Sequence, residues 1–198
     1  MEKAGDAVGN YSSRGHVRVH EMAMKAAQAA LSGGISVVLQ QLVQDYPEKT
    51  IGAGTVLNVK DAKLAVNAGA KFLLSPATVK DILDDVQGSE VLCIPGAMTP
   101  TEILSAYNAG AKIVKVYPIS ALGGSRYFAT LKKPFPHIPL VASQGITLDL
   151  IGEYIAVGAS SVVLSDAIFD KEAMAQQNFG TIYRSSQLAV LLANEAVK

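Results

Sequence analysis

The sequence predicts an α/β protein with a parallel sheet, either open or closed into a barrel. Short apolar runs alternate with amphipathic stretches of helical length, and one apolar-Gly-Ala joint recurs between a helix and the strand that follows it. Strands that are apolar at nearly every position are covered on both faces, as in parallel sheets flanked by helices. The recurring joint therefore predicts stacked βα units, and its copies are Ala68-Gly69-Ala70, Ala109-Gly110-Ala111 and Val157-Gly158-Ala159.

The helices before these joints carry recognisable start and stop signals. Residues 59–68 have helical periodicity and stop at Gly69. Thr99-Pro-Thr-Glu102 is a capping-box pattern that starts the second helix, and 146–157 is the third. The apolar runs predict six strands, at 51–56, 71–75, 90–94, 112–117, 138–143 and 160–165.

Composition predicts one globular domain. The chain has 198 residues, of which 49% are hydrophobic and 17% charged, with a mean hydropathy of +0.28. That material is ample for a single core over 1–198, with 1–15 expected to be flexible. Seventeen basic residues balance seventeen acidic ones, which argues against nucleic-acid and membrane partners and favours small molecules or further copies of the chain.

Cysteine content and the N-terminal sequence bear on the compartment. The single cysteine, Cys93, lies in an apolar run and is predicted to be a core residue. One cysteine forms no internal disulfide and no cysteine-based zinc site, which is typical of a reducing compartment. The first residues show no export signal, so we expect a cytoplasmic or other reducing intracellular location.

Lys115 is the strongest candidate for chemistry, because it is a charge in the centre of the apolar run Ile113-Val-Lys-Val-Tyr117. Burial lowers the pKa of a lysine, and the neutral amine condenses with carbonyl groups to form a Schiff base. The alternative is a lysine that extends to the sheet edge or pairs with a carboxylate. Period-2 alternation places Lys115 and Tyr117 on the same face of the strand.

Polar residues at the strand ends predict where a ligand binds, since chemistry in βα folds collects at the carboxyl ends of strands. Gln144-Gly145 follows one strand and Ser165 follows the next, and this pair is suited to an anion. Ordinary helix caps are the alternative explanation. The motif Ile51-Gly-Ala-Gly54 also resembles a dinucleotide fingerprint, but Leu57 stands where the third glycine is required.

Several motifs together resemble the 2-keto-3-deoxy-6-phosphogluconate (KDPG) and 4-hydroxy-2-oxoglutarate (KHG) aldolases. They cover about 22–170 and are Gly52-Ala-Gly-Thr-Val-Leu57, Ser75-Pro76, Ile94-Pro-Gly-Ala-Met-Thr-Pro-Thr-Glu-Ile103, Lys115-Val-Tyr-Pro118 and Gly123-Gly124. The resemblance implies a (β/α)8 TIM barrel, a homotrimer in carbohydrate metabolism, and a lyase that needs no metal or cofactor. It implies cleavage of a 2-keto-4-hydroxy acid to pyruvate and an aldehyde.

The resemblance also implies roles for individual residues. Lys115 falls on the Schiff-base lysine, and Thr55 and Pro95 line the pyruvate end. Tyr117 takes a position that is usually phenylalanine. Ser165 and the loop of Ser143, Gln144 and Gly145 meet the distal phosphate or carboxylate of the substrate, although the family usually reads Thr-Gly-Gly-Ile where this chain has a glutamine.

Two departures concern the first two βα units. Ser32-Gly-Gly-Ile-Ser-Val-Val-Leu39 continues directly into Gln40, with no loop and no counterpart of the catalytic glutamate of the family. The usual first strand, which carries an arginine, is also absent, and Gly15-His-Val-Arg-Val-His20 stands in its place without matching it. These departures leave open whether the barrel is complete. Since His16, His20 or Glu21 are better explained as solvated helix-entry residues, they do not replace the glutamate.

Three functional hypotheses follow. The first is an aldolase that retains Schiff-base chemistry at Lys115 with activity impaired by the missing glutamate. The second is an inactive relative that binds keto acids or assembles with intact subunits. The third is another phosphate-binding barrel enzyme, of the thiamine-phosphate synthase or phosphosugar epimerase type, suggested by Ser143-Gln-Gly-Ile and Val163-Leu-Ser-Asp-Ala-Ile168.

Overall fold

The structure, a computed structural model, describes residues 35–198. The predicted flexible start at 1–15 and the interpretation of 16–21 lie outside these residues. The described chain divides into two compact units. The first, here called the lysine unit, comprises 35–117 and Phe135–Pro139, and the second, the C-terminal unit, comprises Pro118–Pro134 and Leu140–Lys198. The expectation of one domain over the whole chain stays a prediction.

The lysine unit alternates helices with short parallel strands. Strand β1 pairs in parallel with β2, and β3 pairs in parallel with β4, as the recurring βα joints predict. Its elements are α1 (Ile35–Asp45), α2 (Val59–Asn67), β1 (Phe72–Leu74), α3 (Lys80–Val86), β2 (Leu92–Ile94), β3 (Gly96–Ala97), α4 (Pro100–Asn108) and β4 (Val114–Val116).

The predicted strand at 51–56 is wrong as a strand. The segment makes only an isolated parallel bridge, between Ala53 and Leu73 of β1. It still runs alongside β1, since the Ala53 N–H donates to the Phe72 carbonyl at 3.0 Å and the Leu74 N–H donates to the Ala53 carbonyl at 2.8 Å. A left-handed φ of 60° at Thr55 ends the extended backbone and prevents a longer ladder.

Helix boundaries in this unit follow the predicted signals. The Asn58 side chain accepts a hydrogen bond from the Asp61 N–H at 2.9 Å and starts α2. The capping box at α4 is confirmed, because Thr99 accepts from the Glu102 N–H while the Glu102 carboxylate accepts from the Thr99 N–H at 2.8 Å. The Met98 N–H also donates to the Glu102 carboxylate, at 2.7 Å. The bonds from the Met98 and Thr99 N–H groups to the charged carboxylate hold the pKa of Glu102 below its usual value.

Helix α1 occupies the part of the chain where the sequence departs from the family pattern. Ile35–Asp45 is one continuous helix, so the chain passes from 35 into 45 without a turn. Among residues 35–198, the first extended segment is therefore the one at 51–56. Helix α1 packs closely against the backbone at Gly69, because a Cβ at that position would lie 2.9 Å from the side chain of Val43.

The C-terminal unit packs helices around one parallel strand pair, β5 with β6. Its core contains Phe128 and Tyr154, whose rings meet edge to face with centroids 6.0 Å apart. No helix of the described chain is long and apolar enough to cross a membrane. The elements of this unit are α5 (Gly124–Lys132), β5 (Leu140–Ser143), α6 (Ile151–Ala156), β6 (Ser161–Val163), α7 (Lys171–Ala175) and α8 (Phe179–Ala196), with single 3-10 turns at Ser120–Leu122 and Leu148–Leu150.

Candidate active site

Lys115 lies in the middle of β4 and is buried. Its side chain is 7% exposed, and the flanking Val114 and Val116 are fully buried. The backbone pairs with the preceding strand, since the Lys115 N–H donates to the Pro95 carbonyl at 2.8 Å. Apolar residues on both sides of the lysine in the chain explain why the strand forms. Burial of Lys115 itself leaves the amine in a poorly hydrated environment.

Burial lowers the pKa of Lys115 from its usual 10.5 to about 8. Desolvation is the cause, because removing water penalises the charged ammonium more than the neutral amine. With a pKa of 8, about a tenth of the amine is neutral at pH 7, roughly 300 times the neutral fraction of an ordinary lysine. The side chain is thus suited to nucleophilic attack on a carbonyl carbon.

Tyr117 contacts the lysine from the same face of the strand, as the period of two predicts. The Lys115 Nζ lies 5.0 Å from the centroid of the Tyr117 ring, within the range of a cation–π interaction. No carboxylate of the described chain forms an ion pair with this amine. The alternative that Lys115 pairs with a carboxylate therefore finds no support among residues 35–198.

The predicted pyruvate-end residues lie along one edge of the lysine unit. Backbone hydrogen bonds join the neighbouring segments, from Val56 N–H to the Leu74 carbonyl, from Ser75 N–H to the Ile94 carbonyl and from Lys115 N–H to the Pro95 carbonyl. Because the pairs are parallel, the carboxyl ends of these segments meet at the same edge. Thr55, Pro95 and Lys115 are brought to this edge, and Tyr117 follows β4 there.

Ser75 is a buried polar residue that holds the turn around Thr55. Its hydroxyl donates to the Val56 carbonyl at 2.7 Å. Thr55 is exposed and has a φ of 60°, which is rare for a β-branched residue and is tolerated where the surroundings fix it. Position 96 is equally constrained, because a Cβ on Gly96 would lie 2.2 Å from the Pro76 carbonyl oxygen.

The residues predicted to meet an anion form a second cluster, in the C-terminal unit. Ser143 is buried at the end of β5 and pairs in register with Val163 of β6. Gln144 has a φ of 84°, and its side-chain oxygen accepts a hydrogen bond from the Ser120 hydroxyl. Ser165 lies two residues beyond β6 in a turn and not at a helix start, since α7 begins only at Lys171.

A cavity of about 200 Å³ opens where the loops after β5 and β6 meet. Two of the predicted residues, Gly145 and Ser165, line this cavity, one in each loop, whereas Ser143 and Gln144 do not. The other four lining residues were not predicted to contribute, although each lies one or two residues from Gly145 or Ser165. The lining consists of Gly145, Ile146, Thr147, Ser165, Asp166 and Ala167.

The contact between Ser120 and the loop after β5 was not predicted from the sequence. Besides its bond to Gln144, Ser120 lies so close to the next residue that a Cβ on Gly145 would be 2.5 Å from the Ser120 Cβ and Oγ atoms. Only glycine therefore fits at position 145, so this residue contributes backbone atoms and no side chain to the lining of the cavity.

The left-handed backbone at Gln144 makes a testable prediction. Removing the side chain in Gln144→Ala loses the bond to Ser120 and should lower the free energy of unfolding by about 1 kcal/mol. Gln144→Gly loses the same bond but relieves the backbone, so it should be about 1 kcal/mol more stable than the alanine variant. Urea unfolding of the two variants measures the difference. At an ordinary φ alanine is the more stable of the two, and that order would contradict this backbone geometry.

A family model described as KDPG and KHG aldolase matches residues 10–185. Among curated relatives, the chain is 34% identical over 148 residues to a 2-dehydro-3-deoxy-phosphogluconate aldolase of Treponema pallidum, which covers 69% of this chain and 70% of the relative. The matched region includes both clusters described above.

Solved structures agree. A structure described as native KDPGal aligns with a TM-score of 0.76 at 26% identity, covering 84% of this chain and 79% of that chain. KDPG aldolase from Legionella pneumophila, with pyruvate captured as a covalent carbinolamine, aligns with a TM-score of 0.72 at 27% identity, covering 81% and 76%. The predicted fold class, an α/β TIM barrel, is confirmed by these relatives.

Proposed function

Since this chain belongs to the KDPG and KHG aldolase family, a family of aldehyde-lyases, we propose that it cleaves a 2-keto-4-hydroxy acid through a Schiff base at Lys115. The products are pyruvate and an aldehyde. The observation that carries the proposal is the buried Lys115 amine of β4, which forms no ion pair with a carboxylate of residues 35–198 and has its pKa lowered to about 8. The carbinolamine captured in the Legionella relative supports the same covalent chemistry.

The reaction begins with attack of the neutral Lys115 amine on the C2 carbonyl carbon. The resulting carbinolamine loses water to give an iminium ion. A base removes the proton of the C4 hydroxyl, the C3–C4 bond breaks, the aldehyde leaves, and the bonding electrons form an enamine. Protonation of the enamine at C3 and hydrolysis release pyruvate and return the amine. Lys115 supplies the nucleophile and the electron-withdrawing nitrogen.

Binding roles are proposed for the neighbouring residues. Thr55 and Pro95, at the edge that carries Lys115, bind the pyruvate portion, and Tyr117 packs against the amine. In the C-terminal unit, Ser165 and the loop of Ser143, Gln144 and Gly145 are proposed to bind a phosphate or carboxylate group. The cavity bordered by Gly145 and Ser165 supports this second role.

Trapping with borohydride tests the nucleophile. Incubation with pyruvate and sodium borohydride should leave one reduced adduct on Lys115, located by peptide mass spectrometry. The yield at fixed time should rise with pH up to about 8 and then level off, because the neutral fraction of the amine rises through its lowered pKa. A rise that continues to pH 10 would contradict the lowered pKa.

Lys71 provides a matched control for this experiment. It is an exposed lysine immediately before β1 and should remain unmodified. An adduct on Lys71 with none on Lys115 would refute the proposed Schiff base.

A second function, an inactive relative that binds keto acids, is favoured by one observation. No carboxylate of the described chain is paired with Lys115, so the base of the C–C cleavage step is not identified among residues 35–198. We propose a case between a fully active aldolase and an inactive relative, in which the chain cleaves its substrate with impaired turnover. Pyruvate trapping without cleavage would favour the inactive relative, whereas turnover that disappears in Lys115→Met would refute it.

Assembly and location are further proposals that rest on family resemblance and composition. We propose a homotrimer that binds a small keto acid, uses no cofactor and resides in a reducing compartment. Burial raises the pKa of the Cys93 thiol to about 11 and keeps it protonated, as expected of a core cysteine. Light scattering of the purified chain tests the trimer.

A further inference from the structure

Tyr117 brings a phenol hydroxyl, and not only an aromatic ring, to the side of the Lys115 amine. Both residues lie in the lysine unit, and Tyr117 is half-buried. Backbone hydrogen bonds to the preceding segment fix their positions. The Lys115 N–H donates to the Pro95 carbonyl at 2.8 Å, and the Tyr117 N–H donates to the Ala97 carbonyl at 3.1 Å. Because groups carried by paired strands are placed more precisely than groups on loops, this hydroxyl has a defined position beside the nucleophile.

The position of the amine over the ring limits which atoms of a bound substrate the hydroxyl can reach. The Lys115 Nζ lies over the Tyr117 ring, 5.0 Å from its centroid. Since standard bond lengths place a phenol oxygen about 3 Å from the centre of its own ring, this oxygen lies about 6 Å from the amine. A hydrogen bond between two oxygens spans about 2.7 Å, so a substrate oxygen bonded to the phenol lies at least about 3 Å from the amine nitrogen.

Among the oxygens of a 2-keto-4-hydroxy acid, the C4 hydroxyl is the one that this distance favours. In the carbinolamine the C2 oxygen shares a carbon with the nitrogen, so it lies about 2.4 Å from the nitrogen and out of reach of the phenol. The C4 oxygen is four bonds from the nitrogen, and with bonds of about 1.5 Å it lies about 3 to 5 Å away. A carboxylate oxygen at C1 is three bonds away and extends to about 3.5 Å at most, near the lower limit of the range.

We propose that the Tyr117 hydroxyl donates a hydrogen bond to the C4 oxygen of the substrate while the C3–C4 bond breaks. As the C4 hydroxyl loses its proton to the base, its oxygen gains negative charge before it becomes the carbonyl oxygen of the aldehyde. A donor directed at that oxygen stabilises the charge and keeps its own proton, so Tyr117 is unchanged by the reaction. This inference rests on the proposed function, since it assigns a second catalytic residue to the same reaction.

Tyr117→Phe tests the hydroxyl, because phenylalanine keeps the ring beside the amine and removes only the oxygen. With 4-hydroxy-2-oxoglutarate as substrate, kcat for cleavage should fall about 100-fold, the usual effect of losing one donor to a developing oxyanion. Pyruvate has no C4, so the yield of its borohydride adduct on Lys115 and the pH dependence of that yield should remain those of the wild type. Tyr107→Phe is the matched control and should leave kcat unchanged, since Tyr107 is a tyrosine of α4 in the same unit whose ring packs edge to face against His137.

The comparison of cleavage with adduct formation separates the possible outcomes. If the wild type and Tyr117→Phe cleave the substrate at the same rate, the inference is overturned while the Schiff base stands. A parallel loss of cleavage and of the pyruvate adduct would also overturn it, because the hydroxyl would then serve the C1 carboxylate or the fold. If the wild type itself forms no adduct on Lys115, the proposed function fails, and this inference falls with it.

Binding tests the inference if the chain forms the adduct without cleaving the substrate. The acid 2-oxoglutarate differs from 4-hydroxy-2-oxoglutarate only by the C4 hydroxyl, and both should compete with pyruvate for Lys115 in the trapping experiment. The wild type should bind the hydroxy acid about 5-fold more tightly than 2-oxoglutarate, since a hydrogen bond typically changes affinity by a factor of about 2 to 12. Tyr117→Phe should lose this preference. The same preference in both proteins would overturn the inference without reference to turnover.

Discussion

Lys115→Met should stabilise the chain while abolishing its Schiff-base chemistry. At pH 7 the folded state must hold a buried ammonium whose pKa has fallen from 10.5 to about 8, which costs about 3 kcal/mol. Methionine has similar length and no charge, so it removes this cost but loses the cation–π contact with Tyr117, worth about 1 kcal/mol. We expect a net gain of about 2 kcal/mol in the free energy of unfolding.

The gain should depend on pH. Between pH 8 and about 10.4 the unfolded chain holds the lysine proton and the folded chain does not, so wild-type stability rises with pH in this window. The advantage of Lys115→Met is therefore complete below pH 8 and shrinks as pH rises through the window. Thermal unfolding at pH 7 and pH 10 measures it, with Lys71→Met as an exposed control that changes stability by less than about 0.5 kcal/mol. A destabilised Lys115→Met at pH 7 would contradict the buried, costly ammonium.

The second large effect concerns the base. Exchange of the pyruvate methyl protons with D2O requires the Schiff base and also a group that removes a proton from carbon. Because no carboxylate of the described chain pairs with Lys115, we expect exchange to be slower than adduct formation, since a positioned base typically contributes about 10²–10⁴ to the rate of proton removal. Proton NMR measures the exchange, and borohydride trapping under the same conditions measures adduct formation.

The Lys115→Met variant sets the background of that measurement, since it cannot form the adduct. Exchange as fast as trapping would show that the chain supplies an effective base, and the search for it would turn to 1–34. If the wild type forms the adduct in normal yield but exchanges its methyl protons no faster than Lys115→Met, the wild type has lost the removal of a proton from the bound pyruvate altogether. That result would favour the inactive relative.

Much of the fold could be predicted because local signals and packing agree. The capping box at Thr99, the end of α2 before Gly69 and the apolar strand around Lys115 each follow from adjacent residues. The segment 51–56 could not be placed correctly, because its apolar residues favour a strand while the φ of Thr55 ends the ladder. The short strand at Gly96–Ala97 was missed because Pro95-Gly96 has the composition of a loop.

The candidate site was predicted at the level of loops and not of contacts. Strand-end position predicted the loops that carry Gly145 and Ser165, since that edge is a property of topology. Lys115 was predicted from its charge in an apolar run, and Thr55 from the family resemblance. The bond from Ser120 to Gln144 joins positions 24 residues apart and has no local signature. The presence of Asp166 in the lining of the cavity could not be predicted, because the side chains that line a cavity are known only once the loops are placed.

The recurring joint has a consequence for how backbone and packing energies can be separated. Gly69, Gly110 and Gly158 adopt φ values of 97°, 98° and 98°, so an alanine would suffer the same backbone penalty at each. Their surroundings differ, because a new methyl would lie 2.9 Å from Val43 at the first, meet nothing within 4 Å at the second, and lie 3.3 Å from Lys132 at the third. Alanine substitutions at these three positions therefore separate the two energies. The loss of stability in Gly110→Ala measures the backbone penalty alone, and the additional loss in the other two variants measures the cost of the side-chain contacts.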